Sequence, residues 1–397
     1  MAPRVLWRYS IPILLLLGAI ASLVAGGIYV WLALVAILIL GVPIDEAIGD
    51  DRHHLSNAAK SLFVLNLVVA LPLVMLLTVV QLYHFTIGDT LGLRSFLASI
   101  GIPFGEVPPG WLPAEPVAIL LVAELYASAG VAAGHELVHW TSNRWAVMVG
   151  RFLLAFTLDT SYSISHVYGH HRTVGLYRDP ATARRNESVY GFFVRTNIGQ
   201  IREAFQIEAE RLRKKGQAVV SWRNRAIRGQ LYSLAIIVAA YLIAGWAGVG
   251  IFLLTALLGR FTHQSITFFQ HYGLVRAEGT PIAARHSWDS ARLVSNAALH
   301  NVPHHAQHHL SGSKRSWELP AAGDASPNLP VGYRGMFLLS LMPRRYRKAV
   351  NPILREWDKN FASEAEKALI RQRGWEIPEN FNWRARIRRT RIADAAE

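Results

Sequence analysis

Long unbroken apolar stretches alternate with short polar joints along this chain, and the stretches are of membrane-crossing length. A helix needs about 20 apolar residues to traverse the hydrocarbon core of a bilayer. From Ile11 the sequence stays apolar almost to Leu40, broken only at Gly26–Gly27. This predicts two spans, Ile11 to about Gly26 and Tyr29 to Val42, the second short unless tilted. Ser61 to about Leu82 and Ala114 to about Gly134 predict two more. Leu231 to Ala244 and Val249 to about Phe269, parted by Gly245–Gly248, predict a last pair. The first run is far longer than the roughly 7–15-residue core of a cleavable signal, so it is expected to remain as an anchor.

The joints differ in kind. Residues 90–112 are rich in Gly and Pro and weakly apolar, as in a re-entrant or interfacial stretch. Trp145 to Leu158 is too short for a span and is expected to pack inside the protein. Residues 172–228 are polar, with an amphipathic helix expected from Phe192 to Lys215. The expectation is an all-α membrane protein of about six transmembrane helices, capped by a cytosolic histidine-rich region. Residues 1–275 form the bundle, including the insertion at 172–228, and 276–397 the cap, as one integrated domain. Arg4 and Arg8 precede the first span and basic groups at 344–348 and 384–391 follow the last. Positive-inside bias then puts both termini in the cytoplasm.

Composition sharpens this picture. The chain is 52% hydrophobic and only 17% charged, against roughly 25% charged in soluble domains. The net charge of +14 fits positive-inside topology, and also a surface for an acidic partner or anionic lipid. No nucleic-acid-binding motif accompanies it. There is no cysteine, which excludes disulfides, thiolate zinc sites and iron–sulfur clusters. Any metal must be held by His, Asp or Glu.

The 16 histidines are clustered. "GHELVH" holds His135 and His139, and "SHVYGHH" holds His166, His170 and His171. "FFQHYG" holds His271, and "LHNVPHHAQHH" holds His300, His304, His305, His308 and His309. Positions i and i+4 share a helix face about 6 Å apart along the axis. His135/His139, His166/His170 and His305/His309 are such pairs, set at or just beyond the ends of expected spans. Imidazole suits iron, zinc, copper and nickel. A histidine count this high exceeds what one four- to six-coordinate ion can use, so the expected site holds two metals. "HELVH" also fits a zinc-protease HExxH motif with Glu136 as base, but that reading leaves the other clusters unexplained. A metal transporter is a further alternative; it would carry its ligands near mid-membrane rather than at span ends.

At these residues the chain resembles the integral-membrane alkane monooxygenases, relatives of the membrane fatty-acid desaturases and hydroxylases. "HELVHW" matches an HELxHK-type first box, with Trp140 in the basic position. "SHVYGHH" matches an EHxxGHH box with Ser165 for Glu, and "TFFQHYG" an NYxEHYG element with Gln270 for Glu. "VPHHAQHH" matches an LQRHSxHH box, with His304 in the Arg position. The likeness runs from about Pro43 to Pro352.

The resemblance implies iron ligands at His135, His139, His166, His170, His171, His271, His305, His308 and His309. Glu136, Gln270, His300, His304 and Asp179 become candidate supports. Ser165 and Gln270 each replace a carboxylate able to orient an imidazole, and Asp159, Asp179 and Asp289 are candidate substitutes. His53, His54, His84, His263 and His286 read as structural or surface residues. The implied cofactors are two iron ions, with O2 as co-substrate, in a bacterial inner membrane. The implied reaction hydroxylates a terminal or methyl C–H bond of an apolar hydrocarbon drawn from the bilayer. An aryl-methyl or terpene-methyl hydroxylase, or a desaturase-like enzyme, stands as the alternative. Electrons would come from rubredoxin or a ferredoxin with its reductase. Leu121, Leu125, Leu254 and Phe268 are expected either to line the substrate's path or to face lipid and packed helices.

Overall fold

A computed structural model describes residues 7–50, 57–105 and 114–378. His53, His54, the basic run 384–391 and part of the 90–112 stretch lie outside the described residues. The protein is built from helices: α1 (Ile11–Ala25), α2 (Ile28–Ile48), α3 (Asn57–Tyr83), α4 (Leu93–Ser99), α5 (Glu115–Val138), α6 (Arg144–Ala155) and α7 (162–173). They are followed by α8 (Val189–Arg213), α9 (Arg225–His271), α10 (Leu293–Ala298), α11 (His305–Leu310), α12 (Tyr333–Ser340), α13 (Pro343–Asn360) and α14 (Glu364–Gln372). Among the described residues the only β pairing is two isolated bridges.

Among the described residues four helices (α2, α3, α5 and α9) are long and apolar enough to cross a membrane, and α1 is a shorter apolar helix. The 47-residue α9 is two helices in one, because Ala244 (φ −138°) and Gly245 (φ 60°) leave helical geometry. Left-handed φ is easy for glycine and strained for other residues, so the break falls where the sequence supplies one. The lower arm of α9 starts at Arg225, earlier than apolar content alone suggests. Asn224 caps it through the N–H groups of Ala226 and Ile227, and Glu208 of α8 receives Arg225 Nε at 2.7 Å.

Helix α5 is the axis of the bundle, wrapped on nearly all sides, whereas α2 and α9 turn most of their side chains outward. Leu32, Ile39, Leu242, Trp246 and Leu257 are among those exposed outward, as lipid contact requires. Helix α6 packs directly on α5. A Cβ on Gly150 would stand 2.8 Å from the Gly134 carbonyl oxygen, so the two backbones touch there. The 90–105 stretch contains α4 and is stitched to the bundle: Arg94 donates to the Tyr83 carbonyl at 2.6 Å and Gly105 N–H to Val24 O at 2.8 Å.

The cap has its own core, in which Phe192, Phe268, Tyr272, Trp288, Tyr346 and Trp357 are buried together. Arg185 grips Asp358 with two guanidinium nitrogens at 2.5 and 2.8 Å. His286 meets Glu366 at 2.7 Å. Burial raises the Glu366 carboxyl, but bonds from His286, Ser363 N–H and Arg285 outweigh it and hold it down to about 2 from an ordinary 4.5. A depressed carboxylate contributes stability above its unfolded pKa and loses it as pH falls through the folded one. The thermal stability of the cap is therefore expected to decline between about pH 4.5 and about pH 2. Glu366→Gln should flatten that decline; an unchanged slope would remove this contact from the account.

Candidate metal centre

Four separate segments deliver imidazoles to one layer. The end of α5 brings His135 and His139, α7 brings His166, His170 and His171, the end of α9 brings His271, and α11 brings His305, His308 and His309. All of them pack against one another as rings. They divide into two groups. His135, His139, His166 and His308 have donor atoms within 4.8 Å of each other, as do His170, His271, His305 and His309. His171 joins the first group, its Nε2 lying 3.2 Å from His166 Nε2 and 2.9 Å from His308 Nε2.

The i,i+4 pairs do not all work alike. His135/His139 serve one group and His305/His309 the other, each as the helical spacing predicts. His166 and His170 split, one to each group. They sit in a wide π-type turn, 165–170, a form that recurs at functional sites.

The donor spacing tests whether metal fits. Nε2 atoms are 2.9 Å apart for His135–His166, 3.1 Å for His170–His271, 2.9 Å for His271–His305 and 3.1 Å for His305–His309. With metal–nitrogen bonds of about 2.1 Å, neighbours at right angles lie about 3.0 Å apart, and tetrahedral neighbours about 3.4 Å. These ring nitrogens thus stand at the separation that neighbouring ligands on one ion would have. His139 Nε2 is buried with no hydrogen-bond partner. Burial, then the neighbouring rings, push His166, His171, His305, His308 and His309 well below the ordinary imidazole range. That shift favours the neutral ring, the form that binds metal.

Asp179 is the carboxylate that reaches this layer. Its Oδ2 lies 2.8 Å from His170 Nδ1 and accepts from Thr182 Oγ1 at 2.7 Å. Burial alone would raise this carboxyl, but the adjacent His170 ring and these bonds pull it below its ordinary range. An anion on Nδ1 fixes the ring's tautomer and aim. Asp179→Asn is expected to lower iron affinity or turnover by about 10–100-fold, read by chelator competition and initial rates. No change would make the contact incidental.

The other candidate supports act elsewhere. Asp289 accepts from Ala306 N–H at 3.1 Å and so anchors the start of α11. Asp159 takes Arg260 at 3.0 Å and Gln264 at 3.1 Å. Gln270 donates to the Tyr333 hydroxyl at 3.1 Å, and Ser165 bonds the Ser161 carbonyl, so neither replaces the lost carboxylate. Correspondingly, Nδ1 of His135, His305 and His309 has no hydrogen-bond partner. Glu136 points away from the rings: Trp140 Nε1–H donates to it at 2.8 Å, with the Arg315 guanidinium over the Trp140 ring. His304 Nδ1 meets the Leu319 carbonyl at 2.9 Å. His300 packs its edge on Phe63, and burial pushes it down to about 4. His84 bonds the Leu23 carbonyl, and His263 lies 4.7 Å from Tyr162, edge to face.

A cavity of about 20 Å³ touches His135 and His305 and is bounded by Ala127, Val131, Ile266 and Leu299. None of the four side chains considered for the path borders it. Leu121 and Leu125 are packed in the bundle core, Phe268 lies in the cap core, and Leu254 faces outward.

Comparison with known proteins agrees with this arrangement. The fatty acid desaturase family profile matches residues 109–339. The chain is 32% identical to alkane 1-monooxygenase 1 of Pseudomonas aeruginosa over 277 residues, covering 68% of this chain and 71% of that protein. It is 29% identical to the alkane 1-monooxygenase of Ectopseudomonas oleovorans, over 62% of this chain and 64% of that one. It is 28% identical to the xylene/toluene monooxygenase hydroxylase component XylM of Pseudomonas putida, over 65% and 71%. With the histidine layer at the ends of apolar helices, these likenesses make the chain an integral membrane oxidoreductase that belongs to the fatty acid desaturase family, among its alkane-monooxygenase-like hydroxylases.

Proposed function

We propose that the protein is a non-haem di-iron monooxygenase that hydroxylates a terminal or methyl C–H bond of an apolar hydrocarbon. The observation that carries this reading is the gathering of buried imidazoles whose facing Nε2 atoms stand 2.9–3.1 Å apart. His135, His139, His166, His171 and His308 would hold one ion, and His170, His271, His305 and His309 the other. When bound, the iron pair supplies the redox chemistry: hydrocarbon, O2, two electrons and two protons give an alcohol and water.

The chain's own part is position and dryness. Asp179 holds a proton on His170 Nδ1 and so keeps Nε2 free as donor. Asp289 fixes the start of the helix that carries three of the rings. Ala127, Val131, Ile266 and Leu299 wall the cavity beside His135 and His305 with apolar atoms. Tyr162, His263 and Gln270 also line it.

Electrons come from an external carrier of the rubredoxin or ferredoxin type, since the chain has no cysteine for an iron–sulfur centre. A recess of about 180 Å³ lined by Arg184, Arg276 and Arg373, with Arg178 paired to Glu278 on the same wall, suits an acidic carrier. Its wall is the loop that also bears Asp179, which leads directly to His170. The histidine layer and both termini face the cytoplasm of a bacterial inner membrane in this reading, consistent with the basic cap.

The likeness to XylM favours methyl groups on aromatic rings as a second substrate class. Product analysis after feeding a mixture of octane, xylene and a fatty acid decides between the readings. An alcohol from octane, from xylene or from both supports hydroxylation and names the class. An alkene alone, or no oxygenated product from a protein loaded with iron, would refute it.

A further inference from the structure

An ionisable residue inside a membrane helix is costly and needs a reason. Glu124 is one. It lies on α5, eleven residues before His135, roughly 15 Å along the axis. It is 7% exposed. It joins no ion pair among the described residues; the charge that bears on it is Arg334 of α12. Arg334 Nε is itself buried without a hydrogen-bond partner, and so is the Ser128 hydroxyl one turn along α5 from Glu124. These three side chains line one cavity of about 30 Å³, with Thr262 and Ser295 on its wall.

This cavity adjoins the one beside the histidines. Both are bordered by Ile266 and Leu299. Along α5 the lining runs Glu124, Ser128, Val131, His135, through the π-helical turn at Tyr126–Val131. The far cavity sets a carboxyl, a guanidinium and hydroxyls into an otherwise apolar wall. A substrate made only of carbon and hydrogen would leave the Glu124 carboxyl, the Arg334 N–H and the Ser128 hydroxyl unsatisfied, which is expensive in a low dielectric. A hydroxyl satisfies them: it donates to Glu124 and accepts from Arg334 or Ser128.

We propose that Glu124, Ser128 and Arg334 form a subsite for the hydroxyl of an apolar alcohol whose far methyl group reaches the histidine layer. This rests on the hydroxylase reading and names its preferred substrate class. The reaction breaks one C–H bond and forms one C–O bond, giving a diol. O2 is the oxidant, the external carrier supplies two electrons, two protons are taken up, and the second oxygen atom leaves as water.

The test uses the full-length, iron-loaded protein in lipid nanodiscs, with paired n-alkanes and 1-alkanols of matching chain length. Two readouts are taken for wild type, Glu124→Leu and Ser128→Ala: the alcohol-to-alkane ratio of kcat/KM, and equilibrium binding of a labelled alkanol under nitrogen. Wild type should prefer the alcohol. Glu124→Leu should lower that ratio, and alkanol binding with it, by about tenfold or more, and Ser128→Ala by several-fold. Alkane hydroxylation with no preference for alcohols, unchanged in both variants, would overturn the subsite and leave the hydroxylase standing. Glu124-dependent alkanol binding with no oxidation of either substrate would support the subsite and overturn the hydroxylase.

Discussion

His170→Ala, purified from membranes, is expected to lose most of its iron and all hydroxylase turnover. Both nitrogens of this ring have partners in the layer or beside it. Its Nε2 stands 3.1 Å from His271 Nε2 within the second donor group. Its Nδ1 meets Asp179 at 2.8 Å. Its ring also packs 4.8 Å from that of His309. Truncation removes one of four donors and takes one partner from the buried Asp179 carboxylate, leaving Thr182 Oγ1 and Ala181 N–H. Losing a partner of a buried polar group costs about 1–3 kcal/mol, so the α7 loop should also loosen. Metal analysis and product formation check this together. A variant that keeps both its iron and its turnover would count heavily against His170 as a ligand.

Gly150→Val should have the second-largest effect, although residue 150 touches no histidine. A Cβ there would meet Gly134 O at 2.8 Å, Val138 Cγ1 at 2.9 Å and Leu137 Cβ at 3.0 Å. Gly134 is as tightly held, its own Cβ falling 3.0 Å from Gly150 O. Small residues at such a crossing let helix backbones approach closely in a membrane. The carbonyl cannot give way, so a valine must push α6 off α5 beside His135. Overpacking of this kind costs about 1–3 kcal/mol and sometimes more, and the displaced helix end carries two of the proposed ligands. Lower thermal stability in detergent and a fall in bound iron are expected, with Gly150→Ala milder. A valine variant with wild-type stability and iron content would contradict the close crossing.

Much of this was legible in the sequence because the signals are local. Apolar runs mark α1, α2, α3, α5 and both arms of α9, since burial in lipid leaves no other pattern for a helix. The shortness of 145–158 correctly sets α6 inside the protein, on α5. The histidine boxes announce themselves by spacing, and the rings they contain do converge on one layer. What was not legible depends on contacts between distant segments. Nothing local says that Asp179, rather than Asp159 or Asp289, reaches a ring of the histidine layer. Nor does spacing reveal that the turn at 165–170 widens and parts His166 from His170. Of the two readings open for Leu121, Leu125, Leu254 and Phe268, packing or outward exposure is the one observed, and hydrophobicity alone does not tell which face of a helix borders a void. Ile266 and Leu299 border it, and Leu121 and Leu125 do not. Glu124 left a signal that sequence reasoning passed over, a single carboxylate within an otherwise apolar run.

The account stands on the two donor groups each holding an ion. Iron and zinc quantified on the purified full-length protein, after anaerobic loading and removal of loosely bound metal, test it most directly. About two irons per chain, falling together with turnover in His166→Ala and His170→Ala, is the expected result. One metal per chain or none, or zinc retained in preference to iron, would contradict it.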